Sequence, residues 1–372
     1  MDTFAFIIHP IDPKRDVSRK FPLLGKYLSV NQIDFFSTFF PPIYISEING
    51  IRSQATGKEI RGWFVACPYT PARMLELPEK TVYHKIIQTG RLAHKLGARL
   101  LGLGAFTSVI GDAGLTISRS LPMPVTTGDS YTVAVAVEAV REAARLMEIP
   151  LARATTAVVG AAGAIGSVAA ELIARDVAEV ALVGLPQNAA RLAQLRDRIC
   201  AQPATRARVS VAANLAPLAQ ADLILSVTSA VDVVIEPEHL RPGAVVCDIA
   251  RPRDVSARVA ARRDDVLVID GGMVAVPGAV DFHFDFGFPP GMAYACMAET
   301  MALALEGRFE SYTLGKQITV KQVEEMAQLA AKHGFKLGGF RSFERAVTPE
   351  QIEHVKAARA RARAWRAQEV LA

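Results

Sequence analysis

The stretch TAVVGAAGAIGS, Thr156 to Ser167, constrains this chain more than any other. An apolar run, Thr156 to Val159, leads straight into Gly160, Gly163 and Gly166. SVAAELIARD follows, with Val168, Leu172 and Ile173 at helical spacing. The pattern predicts a strand, a tight glycine turn and the start of a helix. Such a turn lets backbone approach a pyrophosphate, which the free N–H groups of the helix start then bind. Gly160, Ala162, Gly163, Ala164, Ile165 and Gly166 are the candidate contacts. The spacing is G-x-x-G-x-x-G rather than the G-x-G-x-x-G of NAD enzymes, and a plain packing turn between strand and helix is the alternative.

Further strand signals follow in order: Glu179 to Val183, Arg206 to Val211, Ala221 to Ala230, a fifth within Pro242 to Val255, and a sixth within Asp264 to Gly272. Helical stretches such as Gln187 to Arg198 alternate with them. This alternation predicts an α/β fold with a Rossmann-like, doubly wound parallel sheet. Ligands bind such sheets at the carboxyl ends of the strands, which makes Thr228, Ser229, Asp248, Gly271 and Gly272 candidate cofactor-side residues. Each also suits ordinary turn chemistry. After the second strand an acid normally reads the ribose of NAD, whereas an Arg suits the 2′-phosphate of NADP. The segment here, ALVGLPQNAARL, has no acid. NADPH is therefore the expected cofactor, with Arg191 either its phosphate contact or a solvent-facing helix residue.

The apolar content, 51%, is ample for a buried core. Neither a signal peptide nor an apolar run of the roughly 20 residues needed to span a bilayer is visible, so a cytoplasmic protein, at most peripheral to membranes, is expected. The charge balance, 42 Lys+Arg against 37 Asp+Glu, is only mildly basic and does not point to nucleic acid. Cys67, Cys200, Cys247 and Cys296 lack metal-ligand spacing, and no metal is expected. Four segments are predicted: an N-terminal α/β substrate domain over 1–150, the dinucleotide-binding domain over 151–272, a C-terminal segment over 273–345 and a basic helical tail over 346–372. Within the first, EINGIRSQATGKEIRGWFVA reads as a hairpin with Asn49-Gly50 and Thr56-Gly57 as turn candidates. Thr81 to Leu96 reads as a helix. The aromatic cluster Phe35, Phe36, Phe39 and Phe40 reads as core rather than as a lipid channel. In the tail, Thr348, Pro349 and Gln351 predict a capped helix to about Val370. Its Arg359, Arg361, Arg363 and Arg366 read as a solvated face or oligomer contact, or as an electrostatic contact to an acidic partner or anionic lipid.

Past the sixth strand, FPPGMAYACMAETMALALEG, Phe288 to Gly307, predicts a helix entered through Pro289-Pro290 and closed by Gly307. Cys296 falls in an early turn. Helix-start dipoles are expected to lower its thiol pKa and favour the attacking thiolate. A small buried core cysteine is the alternative. Cys247 lies mid-strand and Cys200 near an exposed helix end, so neither is a better nucleophile.

Several segments together resemble the long-chain fatty acyl-[acyl-carrier-protein] reductases of cyanobacteria. They are FAFIIHP with RDVSRK, SQATGKEIRG, LGAFTSVI, TTGDSYT, VVGAAGAIGS, MAYACMAETMALALEG and GKQITVKQVEEM with HGF, in that order from Phe4 to Phe335. The resemblance implies an NADPH-dependent reductase in which a fatty acyl thioester acylates Cys296 and hydride then releases a fatty aldehyde. It implies an acyl-carrier-protein or CoA thioester as substrate, and an aldehyde-consuming enzyme downstream. The family carries an Arg just after the second strand where this chain has LPQN. DIARPRDV, Asp248 to Val255, is closer to glutamyl-tRNA reductases and shikimate dehydrogenases. Covalent thioester chemistry needs fixed donors for the oxyanion, for which Thr127, Ser130 and the backbone near Cys296 are candidates. His9, His333 and Glu299 are candidates for general acid or base; a packed histidine or a solvated glutamate is the alternative at each. Two other classes remain: a non-covalent NAD(P)-dependent dehydrogenase of the shikimate dehydrogenase or glutamyl-tRNA reductase type, and a non-catalytic nucleotide-sensing protein.

Overall fold

The computed structural model describes residues 1–230 and 232–371, apart from the side chains of Arg363 and of residues 365–371. The chain divides into two compact units. The first comprises Met1–Tyr131 and Val274–Gly338, the second Thr132–Met273 and the chain from Gly339 onward.

The first unit opens with β1 (Asp2–Ile8), the short helices α1 (Pro13–Lys20), α2 (Pro22–Tyr27) and α3 (Val30–Ser37), and the strands β2 (Ile43–Arg52) and β3 (Glu59–Ala66). Next come α4 (Pro71–Glu76), α5 (Glu79–Lys95), β4 (Leu101–Gly102), α6 (Phe106–Val109), α7 (Leu115–Ser120) and β5 (Val125–Thr126). α8 (Asp129–Leu146) begins where the unit ends. The second unit continues with β6 (Thr155–Val159), α9 (Ala164–Ile173), β7 (Glu179–Val183), α10 (Ala189–Cys200), β8 (Arg208–Ala212), β9 (Leu223–Ser226), β10 (Val245–Asp248), α11 (Ala257–Arg262) and β11 (Leu267–Asp270). After β12 (Met273–Ala275) the chain returns to the first unit with β13 (Gly278–Asp281), β14 (Met292–Tyr294), α12 (Ala295–Glu306), α13 (Val320–His333) and β15 (Lys336–Leu337); the tail is α14 (Pro349–Leu371).

Six parallel strands in the order β11-β10-β9-β6-β7-β8 form the sheet of the second unit. This is the doubly wound Rossmann order, with the switch point at β6. Apart from the edge strand β8, its strands are buried on both faces, as helix-covered parallel strands must be: all four residues of β9, β10 and β11 are buried. The tail folds onto this unit. Thr348 and Gln351 cap α14 reciprocally, as predicted. Arg359 is buried, against the expectation of a solvated face: it donates to Asp222 at 2.6 Å and to the Gly243 carbonyl at 3.2 Å. Arg361 is exposed, and the side chains of Arg363 and Arg366 lie outside the described residues.

The sheet of the first unit runs β13-β2-β3-β1-β4-β5. β3, β1, β4 and β5 are mutually parallel, and β2 and β13 extend the sheet antiparallel. Phe4, Ile7, Phe64 and Leu101 are fully buried in it. Two expectations fail here. Asn49-Gly50 is not a turn. It is a bulge inside β2, where Gly50 has φ +74° and a Cβ would lie 2.2 Å from the Ala279 carbonyl oxygen. The turn of the hairpin is the one at Thr56-Gly57. The aromatic cluster is not core either: Phe35, Phe36, Phe39 and Phe40 are all exposed. Phe35 and Phe36 lie on α3, an eight-residue helix that buries only Ile33 and Ser37, and Phe39 and Phe40 follow it outside any helix.

Candidate active site

In the first unit the carboxyl ends of β1, β4 and β5 deliver His9, Gly104 and the loop Thr126–Ser130 to one edge of the sheet. That edge is where parallel sheets hold ligands. α12 begins against it. The strand Met292–Tyr294 precedes the helix, so Cys296 is its second residue, and Tyr294 at the N-cap provides no side-chain cap. The first-turn N–H groups therefore have no partner within the helix. Gly128 explains the close approach: it has φ +79°, and a Cβ there would sit 2.4 Å from the Cα and Cβ of Cys296.

Glu299 lies one turn along α12 and is fully buried, not solvated. It accepts from the Thr126 hydroxyl, from Tyr131 N at 2.8 Å and from the Thr313 hydroxyl at 3.0 Å. The carboxylate thus ties the β5–α8 loop to α12. Burial raises its pKa, opposed by those donors. Thr313 holds φ +46°, a conformation that costs a non-glycine residue about 1 kcal/mol. In that position its carbonyl accepts from Thr127 at 2.5 Å, and its one hydroxyl proton is shared between the Glu299 carboxylate and Ser130, the latter at 2.8 Å. Thr127 is therefore engaged as a donor within the loop, whereas Ser130 accepts there, so the Ser130 hydroxyl and the backbone N–H groups of α12 are the candidate donors.

Asp129 is buried in the same loop. Desolvation first, then the neighbouring Glu299 carboxylate, push its pKa up to about 8 against the Thr127 hydroxyl. Cys296 is half-buried. Desolvation and then the Asp129 charge push its thiol up to about 12, and the N–H groups of Met297 and of Cys296 itself only partly counter this. The expected depression of the thiol pKa by the helix start is therefore reversed: an acidic, packed setting outweighs the dipole. Cys67 is buried with its thiol also pushed up to about 12, and buried Cys247 is shifted in the same direction.

The histidines divide. His9 is at the site edge, where its Nε2 accepts from Phe106 N at 3.0 Å; burial lowers its pKa to about 4, so it is neutral there. His333 bonds Ser53 and Glu306, each at 2.8 Å, at the far end of α12. Ten residues of helix separate Glu306 from Cys296, about 15 Å. The structure does not bring His333 to Cys296. An aromatic file absent from the sequence reading leads to the cysteine: Phe64, Phe282, Phe286, Phe288 and Tyr294 pack successively, with the Phe288 and Tyr294 centroids 4.2 Å apart. Asp129 was legible as part of TTGDSYT but stands out only once its burial is known. Thr313 carries no local signal at all.

In the second unit the glycine turn joins β6 to α9. Gly160 has φ +81°, and a Cβ there would lie 2.3 Å from the Val227 carbonyl oxygen; a Cβ on Gly166 would lie 2.4 Å from the Gly160 oxygen. Those two glycines are required by packing. Gly163 is less constrained: it N-caps α9 at φ −77°, and a Cβ would meet only the Gly160 oxygen, tightly at 3.2 Å. Beside it stand the first-turn N–H groups of Ala164, Ile165 and Gly166. Arg191 reaches back from α10 and donates to the Ala162 carbonyl at 2.7 Å. Of the other strand-end residues, Thr228 is bound through its N–H, at 2.9 Å, and its hydroxyl to Asp254, and Ser229 is exposed. Buried Asp248 accepts from Ala250 N at 3.1 Å and Val255 N at 3.0 Å, and Gly271 packs on Ile249 with Gly272 at φ +83°. Thr228, Asp248 and Gly271 thus serve the loops around them.

A parallel sheet of this order with a glycine turn at its switch point is the nucleotide-binding fold of NAD(P)-dependent oxidoreductases. Consistent with it, residues 141–270 match the shikimate / quinate 5-dehydrogenase family. The shikimate 5-dehydrogenase of Listeria monocytogenes aligns over 88% of this chain and 96% of its own, at 11% identity and a TM-score of 0.36. More particularly, the chain is a homologue of the long-chain acyl-[acyl-carrier-protein] reductase of Synechococcus elongatus. The two are 29% identical over 348 residues, 89% of this chain and 98% of that protein. It is also 29% identical over 310 residues to the aminotransferase PigE of a Serratia species, a match that covers 82% of this chain but only 35% of that protein's length. No described helix is long and apolar enough to cross a membrane.

Proposed function

We propose that the chain is an NADPH-dependent reductase that converts a fatty acyl thioester, carried on acyl carrier protein or CoA, to a fatty aldehyde through an acyl-enzyme on Cys296. The observation that carries this reading is the setting of Cys296: second residue of a helix, flanked by buried Asp129 and Glu299, and preceded by the half-buried aromatics Phe286, Phe288 and Tyr294, which suit an acyl chain. The family match ends at 270, before this cysteine, so it bears on the nucleotide side and leaves the substrate side to the full-length homologue.

The residues of the glycine turn fit a dinucleotide. Within the protein a Cβ at 163 would meet only the Gly160 carbonyl oxygen, tightly at 3.2 Å, whereas a pyrophosphate lying against the helix start would need that space. Ala164, Ile165 and Gly166 would hold it through backbone N–H groups. Arg191 would exchange the Ala162 carbonyl for the 2′-phosphate, and no acid follows β7 to favour NAD. Bound there, NADPH supplies the hydride that reduces the acyl carbon.

The chain's own residues handle the proton and the acyl group. A thiol held up near 12 needs a base, and Asp129, titrating near 8, is poised to be one. Ionised Asp129 takes the Sγ proton as sulfur attacks the thioester carbonyl. The carbon–sulfur bond to the carrier breaks, and the departing carrier thiolate receives that proton. The N–H groups at the start of α12 hold the oxyanion. When aldehyde leaves, the Cys296 thiolate is reprotonated through Asp129 from water. Glu299 acts as a positioning residue that keeps the loop on the helix. The aldehyde is a reactive electrophile, so an aldehyde-consuming reaction should follow. The test is turnover of palmitoyl thioesters with NADPH: one aldehyde per NADPH is expected. NADPH oxidation only with small keto acids would favour the non-covalent dehydrogenase.

A further inference from the structure

Ten of the fifteen large apolar side chains exposed among the described residues lie between Phe21 and Tyr44. They include Leu23 at 69% exposure, Tyr27 at 73% and Phe39 at 70%, and Phe35 packs on both Phe36 and Phe39 with ring centroids 5.5 Å apart. α1 buries no residue and α2 only Gly25. Such a concentration is beyond what isolated surface apolars explain and marks an interaction face.

Its charges outside ion pairs are of one sign. Lys14 and Lys26 are exposed within the segment, and Arg91 and Lys95 line a groove with Pro42 where the aromatic run ends. The segment's acids are already matched: Asp16 pairs with Arg19 at 2.9 Å, Asp12 with Arg15 at 3.9 Å and Asp34 with Arg73 at 3.0 Å. Short helices with aromatic side chains and uncompensated lysines are the composition of an interfacial anchor. An acidic protein partner would be met by the cations but would leave the aromatics without apolar cover. The face also adjoins the aromatic file: Arg19 of α1 packs over Gly287, between Phe286 and Phe288, where a Cβ would fall 2.4 Å from its guanidinium.

We propose that α1, α2 and the Phe35–Phe40 stretch seat the protein on an anionic lipid bilayer, with the aromatics at headgroup depth and Lys14, Lys26, Arg91 and Lys95 against lipid phosphates. The inference is independent of the reductase reading, although a lipid seat beside the aromatic file would suit a long-chain substrate.

The test is co-sedimentation of the full chain with vesicles of phosphatidylcholine alone and of phosphatidylcholine with phosphatidylglycerol. Binding to the anionic vesicles, weakened by salt, is expected. Phe35→Ser with Phe39→Ser, and separately Lys26→Glu with Arg91→Glu, should each lower partitioning about tenfold or more. Both variants should keep the wild-type Tm and wild-type turnover of a soluble short-chain thioester, so failure of the anchor is distinguishable from failure of the reductase assignment. Wild-type protein that stays in the supernatant, or serine variants that bind as well as wild type, would overturn it. So would a wild-type dimer that the serine pair converts to monomer without any vesicle binding, which would assign the face to a second copy.

Discussion

The glycine turn and the cysteine site stand at the carboxyl ends of parallel strands in two different sheets and are built in opposite ways. The turn is seven consecutive residues, Gly160 to Gly166, whose function would rest on backbone donors and empty space. The cysteine site is assembled from His9, from the loop Thr126–Tyr131, from Cys296 and Glu299, and from Thr313. It depends on buried carboxyls and crossed hydrogen bonds. The first can lose its ligand without losing its fold. In the second, chemistry and folding share the same bonds, so most substitutions there disturb both. Cys296 is the exception, because its thiol is not among the bonds that tie the loop to the helix.

The largest effect should therefore come from Cys296→Ala. Aldehyde formation is expected to fall by about three orders of magnitude or more, as for loss of a covalent nucleophile. NADPH affinity, read by fluorescence quenching, should not change. Next is Gly163→Val. NADPH binding should weaken by roughly a hundredfold, with a smaller loss of Tm than at Gly166, because a Cβ at 163 meets the Gly160 oxygen at 3.2 Å rather than 2.4 Å. Gly166→Val should lower Tm more, since a Cβ there runs into the Gly160 carbonyl.

Asp129→Asn probes the coupling of chemistry to folding. Acyl-enzyme formation in the wild type should rise with pH up to about 8, where Asp129 ionises. In the variant it should be slower by about a hundredfold and lack that rise. Stability should move the other way. A carboxyl with a folded pKa raised to about 8 binds its proton more tightly in the native state. Its stabilising contribution is complete below the unfolded value and is lost as pH rises through the folded one. The asparagine, which cannot ionise, should thus melt above wild type at alkaline pH, with the gap closing toward mildly acidic pH. The smallest effect is expected at Arg191→Ala, which should narrow the preference for NADPH over NADH by about fivefold; an unchanged ratio would remove the arginine from the cofactor site.

The same contrast governs what the sequence made legible. The second-unit sheet is readable because each strand is a short apolar run and each glycine has a local reason; Glu179–Val183 appears with its predicted bounds. The turn at Asn49-Gly50 misleads because a bulge and a turn both ask for positive φ, and only the Ala279 backbone across the sheet decides between them. The Phe35–Phe40 cluster misleads because hydrophobicity signals burial without saying in what. At the cysteine, helix position was legible and its electrostatics were not: the thiol's environment is set by Asp129, 167 positions earlier in the sequence. Arg359 looked solvated for a like reason, since its partner Asp222 is 137 residues away.

The central claim is that Cys296 carries the acyl group. Wild-type protein incubated with palmitoyl-CoA in the absence of NADPH, digested and mapped by mass spectrometry, should show a palmitoyl adduct on the peptide containing Cys296. The adduct should disappear on addition of NADPH as aldehyde forms. An adduct on Cys67, Cys200 or Cys247 instead, or full turnover by Cys296→Ala with no adduct anywhere, would contradict the account and assign the chain to the non-covalent dehydrogenases.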